Sequence, residues 1–87
     1  MLEKNGLVKL TEECGELIQI ASKKMTRMNS DEHWDGAGSI KERLENEIAD
    51  VAAASRIVME NFNLDEERIK RRYLEKFDLF QKWMRER

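Results

Sequence analysis

The stretch Glu47-Ile48-Ala49-Asp50 constrains the fold of this chain most, because it places acidic side chains on an apolar helix face. Glu47 falls on this face and Asp50 lies at its edge. A carboxylate buried without a partner is costly, so it must become neutral, pair with a cationic side chain or bind a cation. The apolar residues around it recur at steps of three and four, as on one side of a helix: Ile40, Leu44, Val51, Ala54 and Val58.

Length and composition indicate one small helical domain covering residues 1–87. Charged residues make up 39% of the chain and proline is absent, which is typical of a helical protein. A monomer of this length buries only roughly 60% of the surface that its unfolded chain exposes. We therefore expect the chain to gain stability by forming an oligomer.

The charge and the apolar content argue against several classes of protein. The net charge of −2 gives no overall attraction to nucleic acid or to anionic membranes. The single cysteine, Cys14, cannot form an internal disulfide, and with a single histidine it argues against a zinc site. No apolar run approaches the ~20 residues of a membrane span, and the N-terminus lacks the apolar core of a signal peptide. We expect a cytoplasmic protein.

The first two helices are predicted on either side of a loop at residues 29–38. The first helix runs from near Leu2 or Leu7 to about Met28. The second begins after Ser39, which forms a capping box with Glu42, and continues to about residue 61. The first helix has an apolar stripe that is expected to be buried: Leu7, Leu10, Cys14, Leu17, Ala21, Met25 and Met28.

The third helix is predicted to begin at a second cap, formed by Asn63 with Glu66, and to run nearly to the C-terminus. Lys76 lies on its apolar stripe, and Arg72 precedes it by one turn. The stripe is expected to be buried and is marked by Ile69, Tyr73, Phe80 and Trp83.

Two acidic pairs are the candidate functional residues. Glu13 and Glu16 form an E-x-x-E pair on the first helix, and Glu47 and Asp50 form an E-x-x-D pair on the second. Residues three apart on a helix project to neighbouring positions, so each pair can hold one cation. All-oxygen ligands favour Mg²⁺ or Mn²⁺. A network of surface ion pairs with lysine and arginine is the alternative that spacing alone leaves open.

The acidic motifs resemble those of a known enzyme family. Glu12-Glu13-Cys14-Gly15-Glu16-Leu17 followed by Glu45-Asn46-Glu47-Ile48-Ala49-Asp50-Val51 resembles the all-α nucleoside triphosphate pyrophosphohydrolases. These are the MazG-like proteins, related to the dimeric dUTPases and the phosphoribosyl-ATP pyrophosphatases. The resemblance covers roughly residues 7–85, and its specific part is the two motifs, which 30 residues separate between Glu16 and Glu47.

The resemblance implies a magnesium site and a set of substrate contacts. The metal ligands of the family match Glu13, Glu16, Glu47 and Asp50 of this chain. The catalytic carboxylates match Glu13 and Glu12, the latter by orienting the site or assisting a water. The resemblance also implies attack on the α-phosphate, and triphosphate contacts from the third helix that match Lys76, Arg72 and Lys70.

Three of the candidate side chains also have a purely structural interpretation. The stem of Lys76 could lie on Tyr73 and Phe80 while its ammonium group reaches water. Trp34, in the loop, could cover the core or provide a platform on which a base stacks. His33 could be a surface residue or could contact a base or a phosphate.

We expect an all-α protomer in which the first two helices form an antiparallel hairpin and the third packs across them. A homodimer or homotetramer would then build a four-helix core from helices of two chains. The predicted activity is Mg²⁺-dependent hydrolysis of a nucleoside triphosphate to the monophosphate and pyrophosphate, which clears unwanted nucleotides. A phosphoribosyl-ATP pyrophosphatase and a non-catalytic helical interaction module are the alternatives.

Overall fold

The computed structural model describes residues 2–26 and 39–86 of the chain. Within these ranges every regular element is helical, which confirms the predicted all-α class with three α-helices. A short 3-10 helix at Leu2–Asn5 precedes the α-helices α1 (Leu7–Thr26), α2 (Ile40–Asn61) and α3 (Glu66–Arg85). The predicted loop, with His33 and Trp34, lies outside the described residues. Among those residues, no helix is both long and apolar enough to cross a membrane.

The capping box at the start of α2 is confirmed. The Ser39 hydroxyl accepts a hydrogen bond from the backbone N–H of Glu42 at 3.0 Å. The Glu42 carboxylate accepts one in return from the backbone N–H of Ser39 at 3.3 Å. These two bonds satisfy backbone donors that the first turn of a helix cannot satisfy itself. The start of α2, and so the position of Glu47 along it, follows from local sequence.

The predicted cap of α3 is wrong, because Asn63 ends α2 instead of starting α3. Asn63 has a φ of 50°, in the left-handed region. Its N–H donates to the carbonyl of Glu60 at 3.4 Å, and the N–H of Leu64 donates to that of Met59 at 3.0 Å. This is the Schellman pattern of a helix C-terminus. The N-cap of α3 is Asp65, whose side chain accepts from the N–H of Arg68 at 3.0 Å.

Helices α1 and α2 form the antiparallel hairpin that was expected. Gly6 lies against Ile57 and Val58 near the end of α2, while Glu13 meets Asp50 nearer its middle. Residue numbers rise along α1 while those of the facing residues of α2 fall, so the two helices are antiparallel. The most buried apolar side chains come from both helices: Ile20, Ile40, Ala54 and Val58.

The side of α1 that meets α2 is the one that carries the E-x-x-E pair, and the apolar stripe predicted to be buried is only partly covered. Ile20 is the buried residue of α1, whereas Cys14 is exposed. Leu7 and Met25, also on the predicted stripe, are 40% and 67% exposed. A single neighbouring helix covers only one side of α1. That side carries Ile20 and Glu13, and it leaves much of the longer apolar stripe in solvent.

Helix α3 does not pack across the hairpin, which corrects the prediction. All of its residues are described, and none of them is buried. The chain measures 41 × 37 × 14 Å, with a radius of gyration of 15.6 Å. A compact domain of this length would have a radius of gyration of about 12 Å. The protomer is therefore a flat, open arrangement in which α3 extends away from the hairpin.

Candidate metal centre

Three carboxylates from two helices converge near the middle of the hairpin. One oxygen from each of Glu13, Glu47 and Asp50 lies within 4.8 Å of the others. Glu13 comes from α1, and the other two come from α2 at a spacing of three residues. The antiparallel pairing of the helices brings the two acidic motifs to the same level. The sequence pairs thus become one cluster, which we call the acidic cluster: Glu13, Glu47 and Asp50.

Glu47 is the most unusual member of the acidic cluster. It is only 9% exposed, although Asp50 beside it is exposed. Among the described residues, no group forms a hydrogen bond with the buried Oε2 atoms of Glu47 and Glu13. Buried carboxylate oxygens are normally paired, since leaving one unpaired is costly. The two orphaned oxygens therefore point to a missing positive partner.

Burial and mutual repulsion shift the protonation of this cluster. Burial raises the pKa of Glu47, and the charges of Glu16, Asp50 and Glu13 raise it further. Burial also raises the pKa of Glu13, with contributions from Glu16 and Asp50. Lys9 lowers the pKa of Glu13, but this is the smallest of the effects. The protein without a cation thus holds protons on these carboxyl groups more tightly than an unfolded chain does.

The other predicted acidic residues lie around the acidic cluster. Glu16 is exposed on α1, and its charge acts on both Glu13 and Glu47. Glu12 is exposed as well, and its carboxylate forms an ion pair with the ammonium group of Lys9 at 3.2 Å. Both residues could reach a ligand at the edge of the cluster. Neither belongs to the group of three whose oxygens meet.

Lys9 is a candidate residue that the sequence reasoning missed. Its ammonium nitrogen lies 3.9 Å from a carboxylate oxygen of Glu13, one helical turn away. The spacing of four residues between Lys9 and Glu13 was the available signal. Lys9 and two members of the acidic cluster border a shallow depression, which has this lining: Lys9, Glu13, Asp50, Ala53, Ala54 and Ile57.

The cations predicted to bind phosphate are not brought to the acidic cluster within one chain. Lys70, Arg72 and Lys76 all lie on α3, which extends away from the hairpin. The ammonium nitrogen of Lys76 is 5.8 Å from the centre of the Phe80 ring. This contact matches the structural role that the sequence left open for Lys76. Trp34 and His33, the predicted base contacts, lie outside the described residues.

The donor atoms of the acidic cluster suit a hard divalent cation. All three are carboxylate oxygens, the ligands that Mg²⁺ and Mn²⁺ take, and Cys14 is not part of the group. A cation would neutralise the repulsion and satisfy the orphaned oxygens together. Comparison with protein-family models, with curated proteins and with solved structures found no match to this chain. The acidic motifs and their geometry are therefore the features of this chain that bear on its function.

Proposed function

We propose that this chain is a Mg²⁺-dependent nucleoside triphosphate pyrophosphohydrolase, which converts an NTP or dNTP and water to the monophosphate and pyrophosphate. The observation that carries the proposal is Glu47, which has a buried carboxylate oxygen without a partner among the described residues and a carboxylate oxygen within 4.8 Å of oxygens from Glu13 and Asp50. The resemblance of the two acidic motifs to the MazG-like proteins supports the reaction class. The proposed role is to remove unwanted nucleotides.

In this proposal Glu13, Glu47 and Asp50 hold Mg²⁺ or Mn²⁺, with Glu16 as a further ligand from the edge. A bound divalent cation supplies a water of lowered pKa and neutralises charge on the phosphates. Glu12 orients or deprotonates the attacking water, and Lys9 holds Glu12 in place through their 3.2 Å ion pair. Lysine and arginine side chains, with Lys76 first, stabilise the triphosphate and the leaving pyrophosphate. Trp34 and His33 are the proposed base contacts.

The proposed protein works as a homodimer or homotetramer. The apolar side chains that α1, α2 and α3 leave exposed support this part of the proposal. Ile18 and Ile48 on the hairpin are 67% and 55% exposed, and Trp83 on α3 is 53% exposed. Side chains of this kind are normally covered by a partner when they form a continuous surface. A four-helix core from two hairpins would cover the hairpin residues.

A product assay tests the reaction. The purified chain is incubated with a panel of canonical and modified nucleoside triphosphates, and with phosphoribosyl-ATP, in Mg²⁺. We expect pyrophosphate and a nucleoside monophosphate, and we expect Glu47→Gln to abolish their release. Glu45→Gln is the matched control, since Glu45 is exposed on the same helix and lies outside the acidic cluster. No pyrophosphate from any substrate would refute the proposal.

A non-catalytic helical interaction module is the second candidate, and one contact favours it. Lys9 approaches both Glu12 and Glu13, as it would in a structural ion-pair network. In that case lysine and arginine side chains would neutralise the carboxylates of the chain. Adding Mg²⁺ would then leave the melting temperature unchanged. A magnesium-dependent rise in melting temperature that Glu47→Gln removes would decide for the metal site.

A further inference from the structure

Lys9 brings a positive charge to the edge of the acidic cluster. Its ammonium nitrogen lies 3.2 Å from Oε1 of Glu12 and 3.9 Å from Oε1 of Glu13, a member of the cluster. The first distance is short enough for a hydrogen bond, whereas the second is an electrostatic contact only. Lys9 is therefore shared between a carboxylate of the acidic cluster and a carboxylate beside it.

The contact with Glu13 involves one of its two carboxylate oxygens. Oε1 faces Lys9, whereas Oε2 is buried and has no hydrogen-bond partner among the described residues. Burial and the charges of Glu16 and Asp50 raise the pKa of Glu13, and the charge of Lys9 lowers it. In the metal-free chain Lys9 thus offsets part of the repulsion at Glu13 but leaves the buried oxygen unsatisfied.

Lys9 can leave Glu13 without disturbing the packing of the hairpin. Its side chain is 62% exposed, whereas that of Glu13 is only 14% exposed. Ion pairs of exposed lysine side chains are weak, and the four-carbon stem of lysine is flexible. Lys9 also borders the depression that Glu13 and Asp50 line, so its ammonium group has open space beside the acidic cluster. The shorter contact with Glu12 can hold it there.

We propose that Lys9 is the resident counter-cation of the metal centre. It partly neutralises Glu13 while no metal is bound, and it gives up this contact when a divalent cation binds. Two cations near one carboxylate repel each other, so Lys9 lowers the affinity of the site for metal. Lys9 thereby sets the Mg²⁺ concentration at which the site fills. This inference rests on the proposed function, because it concerns the regulation of the same site.

The geometry distinguishes this role from one in which Lys9 helps metal to bind. A lysine that held Glu13 in the orientation of a metal ligand would need a directional hydrogen bond to it. The distance of 3.9 Å between Lys9 and Glu13 is too long for such a bond. The contact therefore contributes charge without fixing an orientation, and the two roles predict opposite changes in metal affinity when Lys9 is replaced.

Calorimetry of metal binding tests the competition. The full chain is freed of metal and titrated with Mg²⁺, and in parallel with Mn²⁺, as wild type, Lys9→Met, Lys9→Arg and Lys82→Met. We expect Lys9→Met to bind roughly 2- to 5-fold more tightly, the factor that corresponds to one exposed ion pair. Lys9→Arg keeps the charge and should bind like wild type. Lys82→Met removes the same charge from α3 and should also bind like wild type. Weaker or unchanged binding by Lys9→Met would overturn the proposal.

A double-mutant cycle in a chelator tests the contact with Glu13 itself. Urea denaturation is compared for wild type, Lys9→Met, Glu13→Gln and the double variant. The contact of Lys9 with Glu12 is present in both backgrounds, so its effect cancels in the cycle. We expect Lys9→Met to lower the folding equilibrium constant by roughly 2- to 5-fold more in the wild-type background than in the Glu13→Gln background. Equal effects in the two backgrounds would refute the counter-cation.

The failure of this inference differs from the failure of the proposed function. Pyrophosphate release, with equal Mg²⁺ affinity in wild type and Lys9→Met, would refute the counter-cation alone. The expected difference in affinity, with no pyrophosphate from any substrate, would refute the reaction alone. Absence of Mg²⁺ and Mn²⁺ binding from every variant would refute the metal centre, and both proposals with it.

Discussion

Glu47 is 91% buried, and its Oε2 atom has no hydrogen-bond partner among the described residues. Such a residue stabilises a protein only when something positive meets it. We therefore expect the acidic cluster to destabilise the cation-free chain and to bind a cation. Both consequences can be measured on single residues.

Glu47→Gln should stabilise the metal-free protein at neutral pH. Burial raises the pKa of Glu47, so the folded state binds its proton more tightly than the unfolded state. The contribution of this group to stability is present below its unfolded pKa and is lost as the pH rises through the raised folded pKa. We therefore expect the variant to melt higher at pH 7 by roughly 4–8 °C, the shift that about 1 kcal/mol gives in a domain of this size.

The pH dependence separates this explanation from a general effect of the substitution. Below the ordinary glutamate pKa the difference between wild type and Glu47→Gln should vanish. Thermal melts from pH 4 to pH 8 in a chelator measure it. Glu45→Gln, on the exposed side of α2, should show no pH-dependent gain. A gain for Glu47→Gln that is equal at all pH values would contradict the assignment to a buried charge.

In saturating Mg²⁺ the wild type should be more stable than Glu47→Gln, which reverses their order in the metal-free protein. Wild type should melt higher in saturating Mg²⁺ than in a chelator, by about 2.7 kcal/mol of stabilisation at a concentration 100-fold above the dissociation constant. Glu47→Gln should respond little. Binding should weaken as the pH falls, because protons on Glu13 and Glu47 compete with the cation. Titration calorimetry at two pH values measures this, and an affinity that is independent of pH would be the contrary result.

At the scale of elements, Gly6 sets the contact between the start of α1 and the end of α2. It has a φ of 91°, and a Cβ there would lie 2.8 Å from Cγ2 of Ile57. Gly15, in the middle of α1, has nothing within 4 Å of its Cβ position. The two glycines therefore lie in opposite environments. Gly6, just before α1, is closely packed, whereas Gly15, within α1, has open space at its Cβ position.

Gly6→Ala should destabilise the hairpin, whereas Gly15→Ala should stabilise it. The first change combines a left-handed backbone with a steric clash and should cost about 1–3 kcal/mol. The second replaces a helical glycine in open space and should gain roughly 0.5–1 kcal/mol. Urea denaturation of both variants measures the difference. Equal effects would mean that the junction at Gly6 does not pack as described.

The cap of α3 offers a test of the corrected assignment. Asp65→Ala should cost about 0.5–2 kcal/mol, since Asp65 accepts the hydrogen bond from the N–H of Arg68. Asn63→Gly should be tolerated, because glycine adopts the φ of 50° at no steric cost. Circular dichroism and urea denaturation report both changes. Loss of α3 helicity in Asn63→Gly, with Asp65→Ala unaffected, would restore the original prediction of an Asn63 cap.

At the scale of the whole molecule, the protomer has only a small interior, which α1 and α2 share and to which α3 contributes no buried residue. Its thickness of 14 Å is little more than one helix diameter, and α3 buries none of its residues. A layer of this thickness cannot hide both faces of its helices from water. We therefore expect association to cover the exposed apolar side chains of this chain.

The melting temperature should therefore rise with protein concentration. Phe80→Glu should remove this dependence and shift sedimentation toward the monomer, because it places a charge on the exposed stripe of α3. Gln81→Glu adds the same charge beside the stripe and should leave the association intact. A wild-type chain that sediments as a monomer at all concentrations would contradict the expected oligomer.

The sequence by itself determined the helices and the acidic pairs. The capping box at Ser39 and Glu42, the end of α2 at residue 61, and the spacing within each acidic pair all depend on a few residues along one helix. Interactions of this range involve neighbours in the chain, so composition and periodicity are sufficient to predict them. Glu47 could be recognised as a buried acid because its own helix supplies the apolar stripe.

The tertiary structure decided which faces are covered. The burial of Ile20 in place of Cys14 depends on how α1 is rotated against α2, which the periodicity of α1 alone does not specify. The outward course of α3 also depends on contacts between elements, including the ion pair of Arg56 with Glu66. An amphipathic pattern states that a face must be covered, but it does not state by which helix. That choice depends on the packing of whole elements, and in this chain the protomer alone does not complete it.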